Sequence, residues 1–165
     1  MDRPAQIVNM DELPWEHYDN GPYDRGASKR LTPSMARSDG HLGVRLERLE
    51  PGALSAAFHY HLYEDEFCLI VAGRALLRLG DETWEVRKGD AISFPRGDRI
   101  AHQLYNHTTE PVDLLMVGEN VAHDVVYYPD SGKWLSRAMR SAGRFTPVED
   151  YWEGEPDPPL PARGR

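Results

Sequence analysis

The chain has 165 residues, of which 40% are hydrophobic and 28% charged, values typical of a single globular domain and not of a disordered or fibrous protein. The formal net charge is −8 and the basic residues form no continuous stripe, so we expect no nucleic-acid partner. The N-terminus lacks an apolar signal segment and no run of residues is long and apolar enough to cross a bilayer, so we expect a cytoplasmic protein without a membrane partner.

Residues 1–35 are expected to form a loop-rich N-terminal arm, because prolines and glycines interrupt every periodic run. A brief helical turn over 9–13, ended by Pro14, is the only regular element that this segment suggests. The aromatic side chains of Trp15, Tyr18 and Tyr23 indicate an arm that packs against another surface and is not free in water.

From about His41 the pattern changes to short strands. Leu42, Val44 and Leu46 alternate with small or charged residues, which is the period of a half-buried strand. Further strands are predicted over 56–61, 66–71, 75–79, 83–86, 91–94, 102–106 and 112–118, with glycine, proline and aspartate turns between them. About eight short strands favour an all-β sandwich or barrel, which we place over 36–128.

The remaining residues, 129–165, are predicted to hold one short helix and a proline-rich tail. The helix is expected over Ser131–Ala142, with Trp134, Ala138 and Met139 on one face. The polar, proline-rich run from Glu153 to Pro159 is expected to be disordered or draped over the surface.

Three histidines and one glutamate form the candidate site. His59 and His61 are two residues apart, so on an extended strand both imidazoles point to the same face. Glu66 and His102 could complete a shell of nitrogen and oxygen ligands of the kind that suits Mn, Fe, Co, Ni or Zn.

Two motifs in the barrel segment carry a family resemblance. They read Gly52…His59-X-His61-X4-Glu66-X6-Gly73 and Gly89-X5-Pro95-X-Gly97…His102-X3-Asn106. Together they resemble the two motifs of the cupin superfamily, and the chain is similar to small single-domain bacterial cupins with a conserved barrel. Six residues separate Gly52 from His59 and four separate Gly97 from His102, and both gaps are longer than the family pattern usually has.

The resemblance implies a double-stranded β-helix, or jelly-roll barrel, with one divalent metal in its interior on His59, His61, Glu66 and His102. Histidines buried in an apolar barrel without a partner would be costly, and a metal supplies one. The alternative is a cupin that kept the scaffold and lost the ion. No catalytic residue is assigned: Glu64 and Asp65 are expected to be solvated loop residues, and Arg45 shares its strand face with Gly43 and acidic Glu47, which argues against an anion clamp there.

The function expected from the resemblance is that of a metal-dependent enzyme acting on a small polar metabolite held in the barrel, of isomerase, dioxygenase or lyase type. The alternative is a non-catalytic binding or regulatory module, whereas the complete ligand set argues against a structural or storage role. Similar proteins commonly pair through sheet edges, and the aromatic arm would suit covering one, so we expect a homodimer.

Overall fold

Antiparallel β-strands provide nearly all the regular structure of the computed structural model, which describes residues 3–21, 23–35, 40–146, 150 and 153. The strands of this part of the chain are β1 (Glu16–Asp19), β2 (Arg25–Arg30), β3 (Leu42–Leu49), β4 (Tyr60–His61), β5 (Glu66–Ala72), β6 (Arg74–Leu79), β7 (Glu82–Arg87), β8 (Ala91–Phe94), β9 (His102–Tyr105), β10 (Val112–Glu119), β11 (Val125–Tyr128), β12 (Lys133–Ser136) and β13 (Ser141–Arg144). A single 3-10 turn spans Pro33–Met35. The predicted all-β jelly-roll barrel is confirmed.

The strands form three sheets. A six-stranded sheet has the order β1-β2-β3-β10-β5-β8, a four-stranded sheet the order β13-β12-β11-β4, and a three-stranded sheet the order β7-β6-β9. Neighbours such as β3 and β10 are far apart in sequence, which is the pattern of a jelly roll and not of consecutive hairpins.

The core lies on one face of the six-stranded sheet, which we call the inner face. Alternate residues of β5 and β10, including Cys68, Ile70, Val112 and Leu114, are no more than 1% exposed there. They pack against Leu77 of β6 and other buried residues of the opposite sheet. This alternation follows from the pleat of a strand, and it fixes which side chains can reach the interior.

The predicted C-terminal helix over 131–142 is wrong. Lys133–Ser136 pairs with Val125–Tyr128 on one side and with Ser141–Arg144 on the other, so the segment forms the hairpin β12–β13. Trp134, which would suit either a helix or a strand, has its backbone paired to Tyr127. Pairing with β11, whose residues are β-branched and aromatic, overrides a weak local helical pattern.

The N-terminal arm also contains more structure than the predicted loop. β1 pairs with β2, and β2 pairs with β3, so the arm extends the six-stranded sheet by two strands. The Trp15 ring packs beneath Lys29 and Arg48, with the Lys29 Nζ atom 4.6 Å from the ring centre. The expectation that the aromatic side chains of the arm pack on another surface is thereby met for Trp15 and not for Tyr23, which is 61% exposed. Apart from Glu153, the tail predicted over Glu153–Pro159 lies outside the described residues.

Candidate metal centre

The four predicted ligands come from three segments of the chain, with His59 directly preceding β4. His61 lies on β4, Glu66 begins β5 and His102 begins β9. An isolated antiparallel bridge pairs His59 with His102, with the His102 N–H donating to the His59 carbonyl at 2.8 Å. Two residues that are far apart in sequence are thus fixed side by side by their backbones.

Three imidazole nitrogens converge on one carboxylate oxygen. The Nε2 atoms of His102, His61 and His59 lie 3.2, 3.5 and 4.0 Å from Oε2 of Glu66. The ligand atoms of His59, His61 and Glu66 all lie within 4.8 Å of one another. The structure therefore brings together all four residues that the sequence singled out.

The hydrogen bonds of two histidines fix which nitrogen faces this point. The Nδ1 atom of His59 lies 2.7 Å from the carbonyl oxygen of Ala57, which can only accept, so Nδ1 carries the proton. The Nδ1 atom of His61 lies 2.7 Å from Oδ2 of Asp124 and donates to it. When each ring is neutral, its Nε2 lone pair is therefore free and directed toward Glu66.

His102 has no such partner. Among the residues that the structure describes, neither of its buried ring nitrogens has a hydrogen-bond partner, because the 3.2 Å approach to Glu66 lacks hydrogen-bonding geometry. The ring stacks on Phe94, with the centroids 3.7 Å apart and the planes at 13°. A buried, unpaired imidazole is costly unless another group satisfies it.

The ligand atoms of His59, His61 and Glu66 lie close enough together for one divalent ion to bind them, and His102 adjoins this set through its 3.2 Å approach to Glu66. Ligands bound to one ion at about 2.1 Å stand roughly 3 to 3.5 Å from one another, and the nitrogen-to-oxygen distances at Glu66 run from 3.2 to 4.0 Å. An ion at this point would satisfy the orphaned Nε2 of His102. The mixed imidazole and carboxylate set suits Mn, Fe, Co, Ni or Zn.

A buried carboxylate pair behind His61 was missed by sequence reasoning. Asp124 is 0% and Glu64 is 2% exposed, so the expectation that Glu64 is a solvated loop residue is wrong. Glu64 pairs with Arg137 at 2.7 Å and accepts the backbone N–H of Val121. The one sequence signal for a buried Glu64 was the group of acidic residues next to His61. No spacing in the sequence indicated that Asp124 contacts His61.

The pKa values follow from this packing. Burial, together with repulsion from His102, lowers the pKa of His59 to about 4, so its ring is neutral near pH 7. Burial is the largest single influence on the pKa of His61 and lowers it, but the bond to Asp124 and the negative charges of Glu66, Asp124 and Glu64 together outweigh burial, so the pKa is raised. Burial raises the pKa of Glu66, yet His102 and the other two histidines more than offset this and the pKa is lowered. Near neutral pH the site therefore holds the ionised carboxylate of Glu66 beside the neutral ring of His59.

The cluster opens into a cavity of about 570 Å³, a size typical of a small-molecule site. Its lining runs from His59, His61 and Glu66 along β10 and β3 to Arg30 on β2. Gly118 and Gly43 lie side by side on this path. Because neither has a side chain, the cavity continues past Glu66 across the inner face.

Comparison with known proteins places this architecture in a family. Residues 45–118 match the model of the Cupin domain family. Protein SchB of Streptomyces halstedii is 31% identical over 108 residues, which cover 64% of this chain and 70% of that protein. The chain belongs to the cupin superfamily.

Two solved cupin-like structures resemble this cupin over most of its length. One is a candidate sugar phosphate isomerase from Acidithiobacillus ferrooxidans, with a TM-score of 0.74 and 27% identity over 84% of this chain and 90% of that chain. The other is from Silicibacter pomeroyi and is described as a sugar phosphate isomerase of a cupin superfamily. It has a TM-score of 0.71 and 29% identity over 84% of this chain and 92% of that chain. Uncharacterized protein MJ1618 of Methanocaldococcus jannaschii is 32% identical over 69 residues, which cover 42% of this cupin and only 54% of that relative.

Proposed function

We propose that this cupin is a metal-dependent enzyme that acts on a small polar molecule bound inside the barrel. The observation that carries the proposal is the convergence of three imidazoles on Oε2 of Glu66, where the buried ring nitrogens of His102 have no hydrogen-bond partner within the described part of the chain. The ligands would be His59, His61, Glu66 and His102. Within the part of the chain that the structure describes, no helix is long and apolar enough to span a bilayer.

A divalent ion bound here would supply Lewis-acid polarisation of an oxygen on the substrate. The protein's own contribution is to hold the ligands rigidly. Asp124 keeps the Nε2 lone pair of His61 directed inward, and the Ala57 carbonyl does the same for His59. Phe94 covers one face of the His102 ring and excludes water there.

Among the isomerase, dioxygenase and lyase types, the isomerase type has the most support. Both solved structures that match at 27% and 29% identity carry the name of a sugar phosphate isomerase. Isomerisation of a sugar by the enediol route moves a proton between neighbouring carbons, which needs a titratable group beside the substrate. The cavity offers Glu16 and Glu119 in its lining in addition to Glu66.

A non-catalytic binding module is the second candidate, and one observation favours it. The two buried carboxylates nearest the ligands are already engaged, Glu64 by Arg137 and Asp124 by His61. Neither is free to act as a general base.

Elemental analysis of the untagged protein by plasma mass spectrometry tests the metal. We expect close to one divalent ion per chain, lost in His59→Ala and Glu66→Ala and retained in His107→Ala, which changes a histidine outside the cluster that pairs with Glu85. Wild-type protein that takes up no metal on reconstitution would overturn the proposal.

Incubation with a panel of aldose and ketose phosphates in deuterated water separates the two candidates. Metal-dependent interconversion, or incorporation of deuterium next to the carbonyl carbon, supports an isomerase. A metal-loaded protein that turns over no member of this panel, nor of panels for the other two reaction types, would instead be a binding module.

Association into homodimers stays a prediction. β1 and β8 are the edges of the six-stranded sheet, and an exposed edge can pair with another chain. Light scattering over a range of concentrations tests this, and a mass equal to one chain throughout would contradict it.

A further inference from the structure

Two arginines lie directly opposite each other on neighbouring strands at the rim of the cavity. Arg30 of β2 and Arg45 of β3 are register partners in an antiparallel pair, so their side chains share one face of the sheet. Both line the cavity that reaches the histidine cluster. Like charges placed directly opposite are destabilising unless something of opposite charge joins them.

That face is the inner one, which also carries Glu66. Arg45 is paired with Met116, and Met116 with Cys68, in one row across β3, β10 and β5. The next row consists of Gly43, Gly118 and Glu66. The arginines are therefore offset from Glu66 by one row along the strands and by two or three strands across the sheet.

The glycines keep the space between the two groups open. A Cβ atom at Gly118 would lie 3.4 Å from Oε1 of Glu66, and one at Gly43 would meet only the Gly118 carbonyl, at 3.8 Å. Strands are about 4.8 Å apart, so the backbone of Arg45 stands roughly 10 Å across the sheet from that of Glu66. A molecule of several heavy atoms spans such a gap.

Of the two arginines, only Arg45 has an ion-pair partner among the described residues. Arg45 Nε lies 3.1 Å from Oε2 of Glu47, whose other oxygen accepts from the Tyr18 hydroxyl at 3.3 Å. Arg30 is exposed, and within the described residues its guanidinium has no ion pair or hydrogen bond. Glu47 is 4% exposed and faces inward, so it offsets Arg45 and not both arginines.

We propose that Arg30 and Arg45 form an anion-binding subsite that takes a phosphate or carboxylate group of the barrel ligand while the rest of that ligand reaches toward the histidine cluster. The planar guanidinium donates paired hydrogen bonds that match either group. This inference rests on the proposed function in one respect: the metal centre would bind one end of the ligand, and the two arginines would bind the other end. The sequence argued against an anion clamp on Arg45 alone. The subsite proposed here also needs Arg30, and only the pairing of β2 with β3 shows that Arg30 lies opposite Arg45.

Isothermal titration with inorganic phosphate, and separately with acetate, at constant ionic strength tests the subsite. We expect saturable binding of at least one anion by the wild-type protein, weakened about tenfold in Arg30→Gln and in Arg45→Gln. The stronger of the two probes identifies the group that the subsite prefers. Arg74→Gln is the matched control, because Arg74 is an exposed strand arginine that pairs with Glu85 outside the cavity. Arg30→Lys and Arg45→Lys keep the charge and lose the paired geometry, so they should fall between wild type and the glutamine variants.

The same titrations on metal-free His61→Ala protein separate this inference from the proposed function. Arginine-dependent binding that persists in His61→Ala supports the subsite even if no metal is ever found. Binding that disappears in His61→Ala but not in the arginine variants would place the anion on the metal and overturn the subsite. Absence of saturable binding of both anions by wild type would also overturn it.

Discussion

The side chain of Asp124 joins His61 to the backbone of the following loop. One carboxylate oxygen lies 2.7 Å from His61 Nδ1, and the other accepts the N–H of Tyr63 at 3.0 Å. A single buried carboxylate thus fixes both the ring of one ligand and the chain that leads from it toward Glu66. Partners of this kind orient metal-binding histidines and strengthen them as ligands.

Asp124→Asn should weaken metal binding by about 10- to 100-fold, because the amide lacks the negative charge that holds the proton on His61 Nδ1. A chelator competition at pH 7.5 measures the dissociation constant. Asp113→Asn is the control, since it breaks the two-bond ion pair with Arg48, at 2.7 Å for each bond, on the other side of the sheet. Equal affinities for Asp124→Asn and wild type would show that Asp124 has no influence on the ligand.

His102→Phe should abolish or strongly weaken metal binding while changing the stability of the metal-free protein only slightly, because the loss of the His102 contact to Glu66 is offset by the removal of unpaired nitrogens. The substitution removes two buried nitrogens that lack partners, and an unpaired buried polar group costs about 1 to 3 kcal/mol. The new ring can keep the stacking on Phe94. Thermal melting of the metal-free protein measures the effect.

His61→Phe is the contrasting variant for that experiment. It leaves the carboxylate of Asp124 buried without its imidazole partner, so the metal-free protein should lose more than about 2 kcal/mol. If the two phenylalanine variants melted alike, the different hydrogen bonding of the two histidines would have no energetic consequence.

Acidification should release the metal below about pH 5.5, because the imidazoles must be neutral to bind it. The pKa of His59 is lowered to about 4, mainly by burial, so at milder acidity the proton competes through His61, whose pKa is raised. Dialysis at stepped pH followed by elemental analysis measures the loss. Full retention at about pH 4.5 would argue against histidine ligands.

The metal-free protein should draw stability from the His61–Asp124 pair within a limited pH window. The pKa of His61 is raised in the folded state despite burial, so its contribution is fully present below the unfolded value of about 6.5 and is lost as the pH rises through the folded value. The pKa of Asp124 is lowered despite burial, so its contribution is present above about pH 4 and is lost in more acidic solution.

Melting temperatures of metal-free protein at pH 6 and pH 8.5 test this window. His59, whose pKa is lowered to about 4, adds stability to both proteins as the pH rises, so the test is the difference between them. Over this interval we expect wild type to gain less stability, or to lose more, than Asp124→Asn, because the bond that helps to raise the His61 pKa is changed in the variant. If the melting temperatures of wild type and Asp124→Asn changed by the same amount between pH 6 and pH 8.5, the stabilising role of the His61–Asp124 pair would be contradicted.

Gly26→Ala should detach the N-terminal arm from the sheet. A Cβ atom at Gly26 would collide with the backbone carbonyl of Arg48 and lie 2.8 Å from the Tyr18 hydroxyl. We expect a loss of about 2 kcal/mol or more and faster proteolysis within residues 1–35. Gly43→Ala, whose Cβ would have no neighbour closer than 3.8 Å, is the stability control.

The strands around the metal centre were predictable because their alternation is strong. The prediction over 91–94 matches β8 in full, and the one over 66–71 falls one residue short of β5. The ligands were predictable for the same reason: spacing two residues apart places His59 and His61 together, and the family motifs add Glu66 and His102.

What the sequence could not supply depends on contacts between segments that are distant along the chain. Asp124 lies 63 residues from His61 and in a turn without any pattern. β2 carries the unremarkable run Arg25–Arg30, and only its pairing with β3 places Arg30 opposite Arg45. The helix predicted over 131–142 failed because local periodicity does not reveal that β11 offers this segment a strand partner.

The row of Gly43, Gly118 and Glu66 also restricts how this chain can change in length. The three residues belong to strands separated by many turns, and each faces inward only while its own strand keeps its register. Adding or deleting one residue within β3, β5 or β10 would turn the following side chains of that strand outward. In a library of single-residue insertions and deletions, we expect survivors that bind metal to carry their changes in exposed turns such as 107–110. Among proteins that keep this site, we therefore expect the lengths of these three strands to stay constant while the sequences of the surrounding loops vary.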